Sequence, residues 1–442
     1  MMAPHHQAII FIILFLGLVI FRVPVAFALI ISGFAGLASL IGMMPALALL
    51  SRSPMEFAAS WELSAVPMFL LMGTIVAKSG IADALFDFFR LLFSRLPGGL
   101  AIATNFSCAG FGAASGSSLA ATVGVGRLAV PYMERFNYDR GLIGAVCGCG
   151  GTLAALIPPS IPFIVFAILT EQSALTLFTA GIVPGLLTAF AYAGVIMLRC
   201  ALNPSLAGDV REESNNGDHH DEDMKSVLFR LWPITLLAII VIAGLYGGFA
   251  TPTEAGGLGA CTALSIAVLR RSMSMREFYE AVSETAVTTA AILIIAVGAS
   301  VLTAYLAFAG FPSYVGQLLS GSDASTLLFI IAMSATFLLL GMILDPLGVM
   351  LLATPIFLPA VTAHGYELVW FAVIVVKFIE IGLITPPVGL NLFAAKSLLP
   401  PEYPFSGLIR AVFWFLLAEI FVMSILLVFP QLSLWLPNLL QT

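Results

Sequence analysis

Long apolar stretches recur throughout the chain and constrain its fold more than any other feature. Residues 231–249, 286–308 and 326–344 are examples. Each is long enough to cross the roughly 30 Å hydrocarbon core of a bilayer as a helix. Of all residues 60% are hydrophobic and only 10% are charged, whereas soluble domains are about 25% charged. The sequence therefore predicts an all-α polytopic membrane protein.

Proline positions indicate an internal repeat. A shift of 228 residues places Pro24 on Pro252, Pro131 on Pro359, Tyr138 on Tyr366 and Pro158-Pro159 on Pro386-Pro387. Such duplication is common in transporter folds. We expect a first repeat over residues 1–205, a cytoplasmic acidic linker loop over 206–228, and a second repeat over 229–442.

Each repeat is expected to contain one re-entrant helical hairpin and one discontinuous helix, because glycine and proline interrupt otherwise apolar runs. The hairpins are predicted at about 98–130 and 326–360. The broken helices are predicted at about 138–170 and 366–398. Together with the remaining spans, each half crosses the membrane an odd number of times. The second half must then start from the opposite face, so the repeats are predicted to be inverted.

The distribution of basic residues predicts the orientation of the chain in the membrane. When the loops are assigned to alternate faces, all of the 18 Lys and Arg residues except Arg52 and Lys377 fall on one face. The positive-inside rule makes that face cytoplasmic. Both termini are then predicted to be periplasmic, with the first hairpin opening inward and the second opening outward.

Four interruptions are the candidate binding regions, because unpaired backbone at membrane depth must face protein or a water-filled cavity. They are the hairpin tips at 114–118 and 344–348 and the breaks at 157–162 and 385–391. We expect the repeat symmetry to bring them together. Helix N-termini at such a site attract anions, and free carbonyl groups attract cations.

The side chains at these interruptions suit a cation and an anionic substrate. Small hydroxyl, carboxylate and amide groups offer oxygen ligands, and glycine permits close approach of the backbone. The candidate residues are Gly112, Ser115, Gly116, Ser117, Ser118, Pro158, Pro159, Ser160, Asp345, Thr385, Pro386, Pro387, Gly389 and Asn391. Two alternatives remain open: the small residues serve tight helix packing, and Asp345 caps the following helix.

Other polar features of the apolar segments are predicted to be structural. Lys377 and Glu380 lie three residues apart and are expected to pair on one helical face. Cys147 and Cys149 are interpreted as packing residues rather than a redox or metal site. No phosphate-binding GxxxxGK[ST] loop occurs in the sequence. We expect no enzymatic activity and no nucleic-acid partner, and an ion gradient is the expected energy source.

Several segments resemble the large membrane subunit of tripartite ATP-independent periplasmic (TRAP) transporters. They include SGSS at the first tip, IPPSIP and ITPPVGLNLF at the breaks, TPTEAG, and LDPLGVMLLATPIFLPA at the second tip. The resemblance covers nearly the whole chain, and this combination of motifs is specific.

The resemblance implies sodium-driven uptake of a small organic anion across the bacterial inner membrane by an elevator-type motion. It implies two protein partners, a small four-helix membrane subunit and a periplasmic solute-binding protein. Sodium ions would couple transport, without an organic cofactor. They would bind at Ser117, Ser118 and Ser160 and at Asp345, Thr385 and Asn391. The alternative is a stand-alone ion-coupled carboxylate carrier of similar fold.

Overall fold

The structure is a computed structural model that describes residues 4–59, 61–208, 224–319 and 323–440. These residues form 21 α-helices and three short 3-10 helices, with no strand among them. The predicted all-α fold is therefore confirmed. Most of the predicted acidic linker loop, residues 209–223, lies outside the described residues.

Ten α-helices precede the predicted linker, and eleven follow its undescribed part. The first ten are α1 (Pro4–Ile20), α2 (Val25–Ile41), α3 (Met43–Ala58), α4 (Ala65–Lys78), α5 (Asp83–Phe93), α6 (Gly99–Ser115), α7 (Ser118–Arg135), α8 (Arg140–Thr152), α9 (Ile161–Thr170) and α10 (Ala174–Leu202). The others are α11 (Met224–Arg230), α12 (Trp232–Tyr246), α13 (Pro252–Leu269), α14 (Met275–Phe308), α15 (Phe311–Leu319), α16 (Asp323–Gly341), α17 (Pro346–Ala363), α18 (Leu368–Leu383), α19 (Leu390–Leu398), α20 (Phe405–Val428) and α21 (Gln431–Leu440).

Several helices have the length and composition of membrane spans. In the described ranges, α10, α14, α17 and α20 qualify on their own. The number rises to six if each of two bent helix pairs counts as one span. Shorter apolar helices, including α1, α2, α8 and α9, accompany them. This inventory supports a polytopic membrane protein.

Helix starts recur at the offset found in the sequence. Four pairs of starting residues lie 228 positions apart: Pro4 and Trp232, Asp83 and Phe311, Ser118 and Pro346, and Arg140 and Leu368. One element differs between the halves. The first half has α3 and α4, separated by a 3-10 turn at Glu62–Ser64, where the second half has the single 34-residue helix α14. The matching starts support an internal repeat.

The two halves exchange helices in one layer of the structure. Helix α2 packs along α14, and its equivalent in the second half, α13, packs along α4. The contact between α2 and α14 is close: a Cβ atom placed on Gly33 would lie 2.5 Å from the backbone nitrogen of Leu302. Small residues allow such approach of helices in membranes. This layer therefore contains helices from both halves.

The other layer contains the hairpins and broken helices. Within it α6 packs on α7, α16 packs on α17, and α8 contacts α6, α7, α19 and α20. Helices α6–α7 and α16–α17 occupy the ranges of the predicted hairpins, and helices end near the predicted breaks. That the hairpins are re-entrant stays a prediction. Helix α7 continues to Arg135, and the second hairpin runs from Asp323 to Ala363. The first break lies between α8 and α9, and the second lies between α18 and α19.

The predicted linker loop ends earlier than expected. Residues 224–228, assigned to that loop from the sequence, belong to α11. The helix forms because Val227 is fully buried and because α11 packs on α5. An ion pair between Arg230 and Asp87, with a nitrogen–oxygen distance of 3.6 Å, lies at the same contact.

Candidate functional site

The first hairpin tip packs directly on the first helix break. Gly116 adopts a left-handed conformation with φ of +61°, which glycine reaches without steric cost. The Ile161 amide donates to the Gly116 carbonyl at 3.5 Å. A Cβ atom on Gly116 would lie 2.7 Å from the carbonyl oxygen of Pro159, whose peptide bond with Pro158 is cis. The structure thus brings these predicted site residues together.

The second hairpin tip and the second break meet in a corresponding way. The Gly389 amide donates to the Met342 carbonyl at 3.3 Å. Gly389 also has a positive φ, +60°, and the Pro386–Pro387 bond is cis. Each half therefore contains one tip packed on one break.

Two predicted cation ligands cap the helices that follow the tips. The Ser117 hydroxyl accepts a hydrogen bond from the Ala120 amide at 3.4 Å. The Asp345 carboxylate accepts from the amides of Leu347 and Gly348, both at 3.1 Å. Ser117 and Asp345 are separated by the repeat offset of 228 residues. The capping alternative for Asp345 is confirmed, and its role as a cation ligand stays a prediction.

The hydroxyl groups at the breaks bond to nearby backbone. Ser160 is fully buried; its hydroxyl donates to the Ala155 carbonyl and accepts from the Phe163 amide at 3.4 Å. The Thr385 hydroxyl donates to the Ile381 carbonyl at 2.6 Å. Both side chains are therefore engaged within their own broken helix.

Contacts between the halves join the first tip to the second broken helix. The hydroxyl of Ser118 donates to Oε2 of Glu380 at 2.7 Å, across 262 residues of sequence. The side-chain amide of Asn391 donates to the Gly148 carbonyl at 3.3 Å. Parts of α7, α8, α18 and α19 therefore lie together, and the gathering of all four interruptions at one site stays a prediction.

The predicted pairing of Lys377 with Glu380 is wrong. The Lys377 ammonium contacts the carboxylate of Glu419 on α20 and donates to the Thr188 hydroxyl on α10 at 3.1 Å. Glu419 also accepts a hydrogen bond from the hydroxyl of Tyr192 at 2.5 Å. Packing of α10 and α20 against α18 supplies these partners, which are distant in the sequence.

A cavity of about 730 Å³ opens beside the first tip, between α4, α7 and α14. Ser115 and Ser117 line it at the tip, and Arg127 lines it farther along α7. Nine residues of helix separate Ser118 from Arg127, which corresponds to roughly 14 Å. The cavity therefore runs from the tip towards the face that carries the basic residues. Gly112 lies deeper, where a Cβ atom would meet Ala154 at 2.5 Å.

The charges of this cavity are unevenly paired. Lys78 forms ion pairs with Glu284 at 3.4 Å and with Glu280 at 3.7 Å. Arg127 is exposed and forms no ion pair within the described part of the chain. Asp83 on α5 also lines the cavity. Among the described residues, Arg127 is thus a positive charge without an ion-pair partner that lines the cavity.

Sequence reasoning missed Glu380 as a tip contact and overlooked Glu419 and Arg127. A signal existed for the two acids, because ionisable residues within apolar runs are functional candidates. Cys147 and Cys149 are buried and free of disulfides. In the described ranges no group of three His, Cys, Asp or Glu residues could hold a metal ion.

Comparison with known proteins identifies the family. The model of the DctM component of tripartite ATP-independent periplasmic transporters matches residues 12–432. The chain belongs to this family. It is therefore a permease of an inner-membrane transporter and not an enzyme. At the level of the family, such large permeases work with a small permease subunit and a periplasmic binding protein.

Similar curated proteins carry names of TRAP permeases. The C4-dicarboxylate TRAP transporter large permease protein DctM of Pseudomonas aeruginosa is 33% identical, over 90% of this chain and 93% of that protein. The ectoine TRAP transporter large permease protein TeaC of Halomonas elongata is 29% identical, over 96% and 97%. The isethionate TRAP transporter permease protein DctMQ of Oleidesulfovibrio alaskensis is 29% identical over 80% of this chain. The chain spans only 54% of that last protein.

Solved transporter structures share the fold at low sequence identity. The Alcanivorax borkumensis YdaH transporter matches with a TM-score of 0.54 and 15% identity, and 98% of each chain is covered. MtrF of Neisseria gonorrhoeae matches with a TM-score of 0.55 and 17% identity, over 96% of this chain and 95% of that one. These matches support the transporter fold alone.

Proposed function

We propose that this TRAP permease drives sodium-coupled uptake of a small organic anion, as the large subunit of a three-part transporter. The observation that carries the proposal is the cavity at the first tip. One of its ends is formed by Ser115 and Ser117, next to the positive N-terminus of α7, and its wall contains Arg127, which forms no ion pair with a described residue. A helix N-terminus and an arginine both attract carboxylate groups.

The names of the relatives point to substrates that carry an acidic group; two of the three are anions, and ectoine is a zwitterion. They specify C4-dicarboxylates, ectoine and isethionate. Each of these compounds carries a carboxylate or a sulfonate group. The cavity is also lined by Lys78, Asp83, Glu277, Glu280 and Glu284. The charge that would attract such a substrate is therefore local, at Arg127 and at the N-terminus of α7.

Sodium coupling is proposed because the tips and breaks bring many side-chain oxygen atoms together and contain no Lys or Arg side chain. The candidate ligands are Ser117, Ser118 and Ser160 near the first tip, and Asp345, Thr385 and Asn391 near the second. Each positive charge that enters the cell gains about 2.3 kcal/mol per 100 mV of membrane potential. Inward movement of sodium would thus supply energy for accumulation of the anion.

The test is uptake by proteoliposomes that contain this chain and its small membrane subunit. Its periplasmic binding protein is first identified among the products of neighbouring genes and screened against carboxylic acids by thermal shift. The acid that binds is then radiolabelled. We expect uptake only with an inward sodium gradient and with the binding protein present. Ser117→Ala and Asp345→Ala should weaken sodium activation while leaving the protein folded.

The alternative is a stand-alone carrier of the same fold. Uptake by this chain alone, without binding protein or small subunit, would favour that alternative. Uptake that persists when choline replaces sodium would instead contradict the sodium coupling. The two parts of the proposal are therefore tested separately.

A further inference from the structure

Three ionisable side chains are buried around α18, and only two of them neutralise each other. Lys377, Glu380 and Glu419 are 1%, 2% and 2% exposed. Lys377 contacts Glu419, whose other oxygen accepts a hydrogen bond from Tyr192. That pair is complete. Glu380 is the remaining charge, and its bonded partner is the neutral hydroxyl of Ser118.

The carboxylate of Glu380 is only half satisfied. Its Oε2 atom accepts from Ser118 at 2.7 Å. Its Oε1 atom is buried and has no hydrogen-bond partner in the described part of the structure. An ionised carboxylate in this position is costly unless a positive charge compensates it. The ammonium group of Lys377 bonds to Glu419 and Thr188 and forms no ion pair with Glu380 in the described part of the structure.

Two further buried oxygen atoms that have no hydrogen-bond partner among the described residues lie in the same region. They are Oγ1 of Thr122, one helical turn after Ser118, and Oδ1 of Asn391. A Cβ atom on Gly151 of α8 would lie 1.9 Å from Thr122 Oγ1 and 2.8 Å from the Ser118 carbonyl. Asn391 donates to the carbonyl of Gly148, three residues earlier on α8. Residues three apart share one face of a helix, so Thr122 and Asn391 both lie against the same glycine-lined face of α8.

Native structures rarely leave buried polar atoms without partners, and an ion is one explanation when they do. The unpaired atoms here are all oxygens, which are the ligands of hard cations. Their only formal charge is the single negative charge of Glu380, which a monovalent cation would neutralise.

We infer that Glu380 provides the negative charge of the first sodium site, together with oxygens of Ser118, Thr122 and Asn391. The inference rests on the sodium coupling proposed above and changes its ligand set. Ser117 and Ser118 keep their places in the first site, and Glu380 and Thr122 replace Ser160, whose hydroxyl already bonds to Ala155 and Phe163. Asn391 is reassigned from the second site to the first.

Such a site links ion binding to the packing of the tip. Ser118 begins the second arm of the first hairpin, and Glu380 belongs to the broken helix of the other half. With the cation bound, this contact is neutral. Without it, the buried charge of Glu380 opposes the packing of the tip on α18. Sodium would therefore stabilise the contact between Ser118 at the first tip and Glu380 on α18.

The experiment measures sodium binding by the purified full-length chain without any substrate. Thermal unfolding is recorded in sodium chloride and in choline chloride at equal ionic strength, and binding of radioactive sodium is measured by scintillation. We expect sodium to raise the Tm of the unsubstituted chain, because a ligand that binds only the folded state stabilises it. Glu380→Gln should lower the apparent sodium affinity by about tenfold or more.

Two further variants make the result specific. Glu254→Gln is the matched control, because Glu254 is exposed and glutamine can keep its capping box with Thr251; its sodium response should be unchanged. Thr122→Val removes one neutral oxygen and should weaken sodium binding less than Glu380→Gln does. If Glu380→Gln does not fold, Glu380→Asp and Thr122→Val decide the question.

The outcomes separate this inference from the proposed function. A normal sodium response in Glu380→Gln, or in both substitute variants, overturns the role of Glu380 and leaves sodium coupling intact. No sodium response in the unsubstituted chain overturns both. A response lost in Glu380→Gln and kept in Glu254→Gln supports the inference.

Discussion

At the scale of single residues, the pair formed by Lys377 and Glu419 explains how a strongly apolar interior tolerates two charges. Both side chains are almost completely buried. Lys377 also donates a hydrogen bond to the Thr188 hydroxyl, and Glu419 also accepts one from the Tyr192 hydroxyl. Removal of one partner from a buried ion pair is much more destabilising than replacement of both by apolar residues, because it leaves an uncompensated charge.

Lys377→Met is therefore expected to destabilise the protein by about 3–5 kcal/mol. The double variant Lys377→Met/Glu419→Leu should recover most of this loss, since no buried charge remains at that contact. Tm values of the purified variants, together with their yield of monodisperse protein, measure the effect. A double variant no more stable than Lys377→Met would show that the carboxylate of Glu419 is not the cause.

At the scale of helices, each tip packs on the break of its own half, and glycine makes the contact possible. Gly116 has a left-handed backbone, and its missing side chain leaves room for the carbonyl of Pro159. The positions of the hairpins and breaks were predictable because proline and glycine interrupt apolar runs locally.

The partners of the charged residues were not predictable in the same way. Ser118 and Glu380 lie 262 residues apart, and Lys377 and Glu419 lie 42 apart. Only the packing of α7 and α20 against α18 brings them into contact. The three-residue spacing favoured a pair between Lys377 and Glu380 within one helix. In the folded protein both residues instead contact side chains of other helices. For Asp345, both the cap and the ligand were compatible with the sequence, and the described geometry contains the cap.

Gly116→Ala tests the contact between tip and break. We expect a loss of about 1–2 kcal/mol from the left-handed backbone alone, increased by the clash with Pro159. Gly194→Ala in α10 is the matched control, because nothing lies within 4 Å of a Cβ atom at that position; it should be neutral or stabilising by up to about 1 kcal/mol. Equal Tm values for the two variants would contradict a tight tip contact.

At the scale of the whole molecule, two halves with matching helix starts exchange helices in one layer. Helix α2 packs on α14, and α13 packs on α4, so each half is completed by the other. Two halves related by inversion would place equivalent residues on opposite faces of the membrane, and the uneven distribution of basic residues predicts which face is cytoplasmic.

Phe21 and Phe249 allow this orientation to be tested, because they lie 228 residues apart and are 83% and 87% exposed. In a Cys261→Ser background, which removes the exposed native thiol, we expect Phe249→Cys to react with a membrane-impermeant maleimide in spheroplasts. Phe21→Cys, beside Arg22, should react only after the membrane is permeabilised. Labelling of both from the same side would contradict inverted halves. Exchange of the two accessibilities would keep the inversion and reverse the orientation, because the relation between the halves does not depend on which face is cytoplasmic.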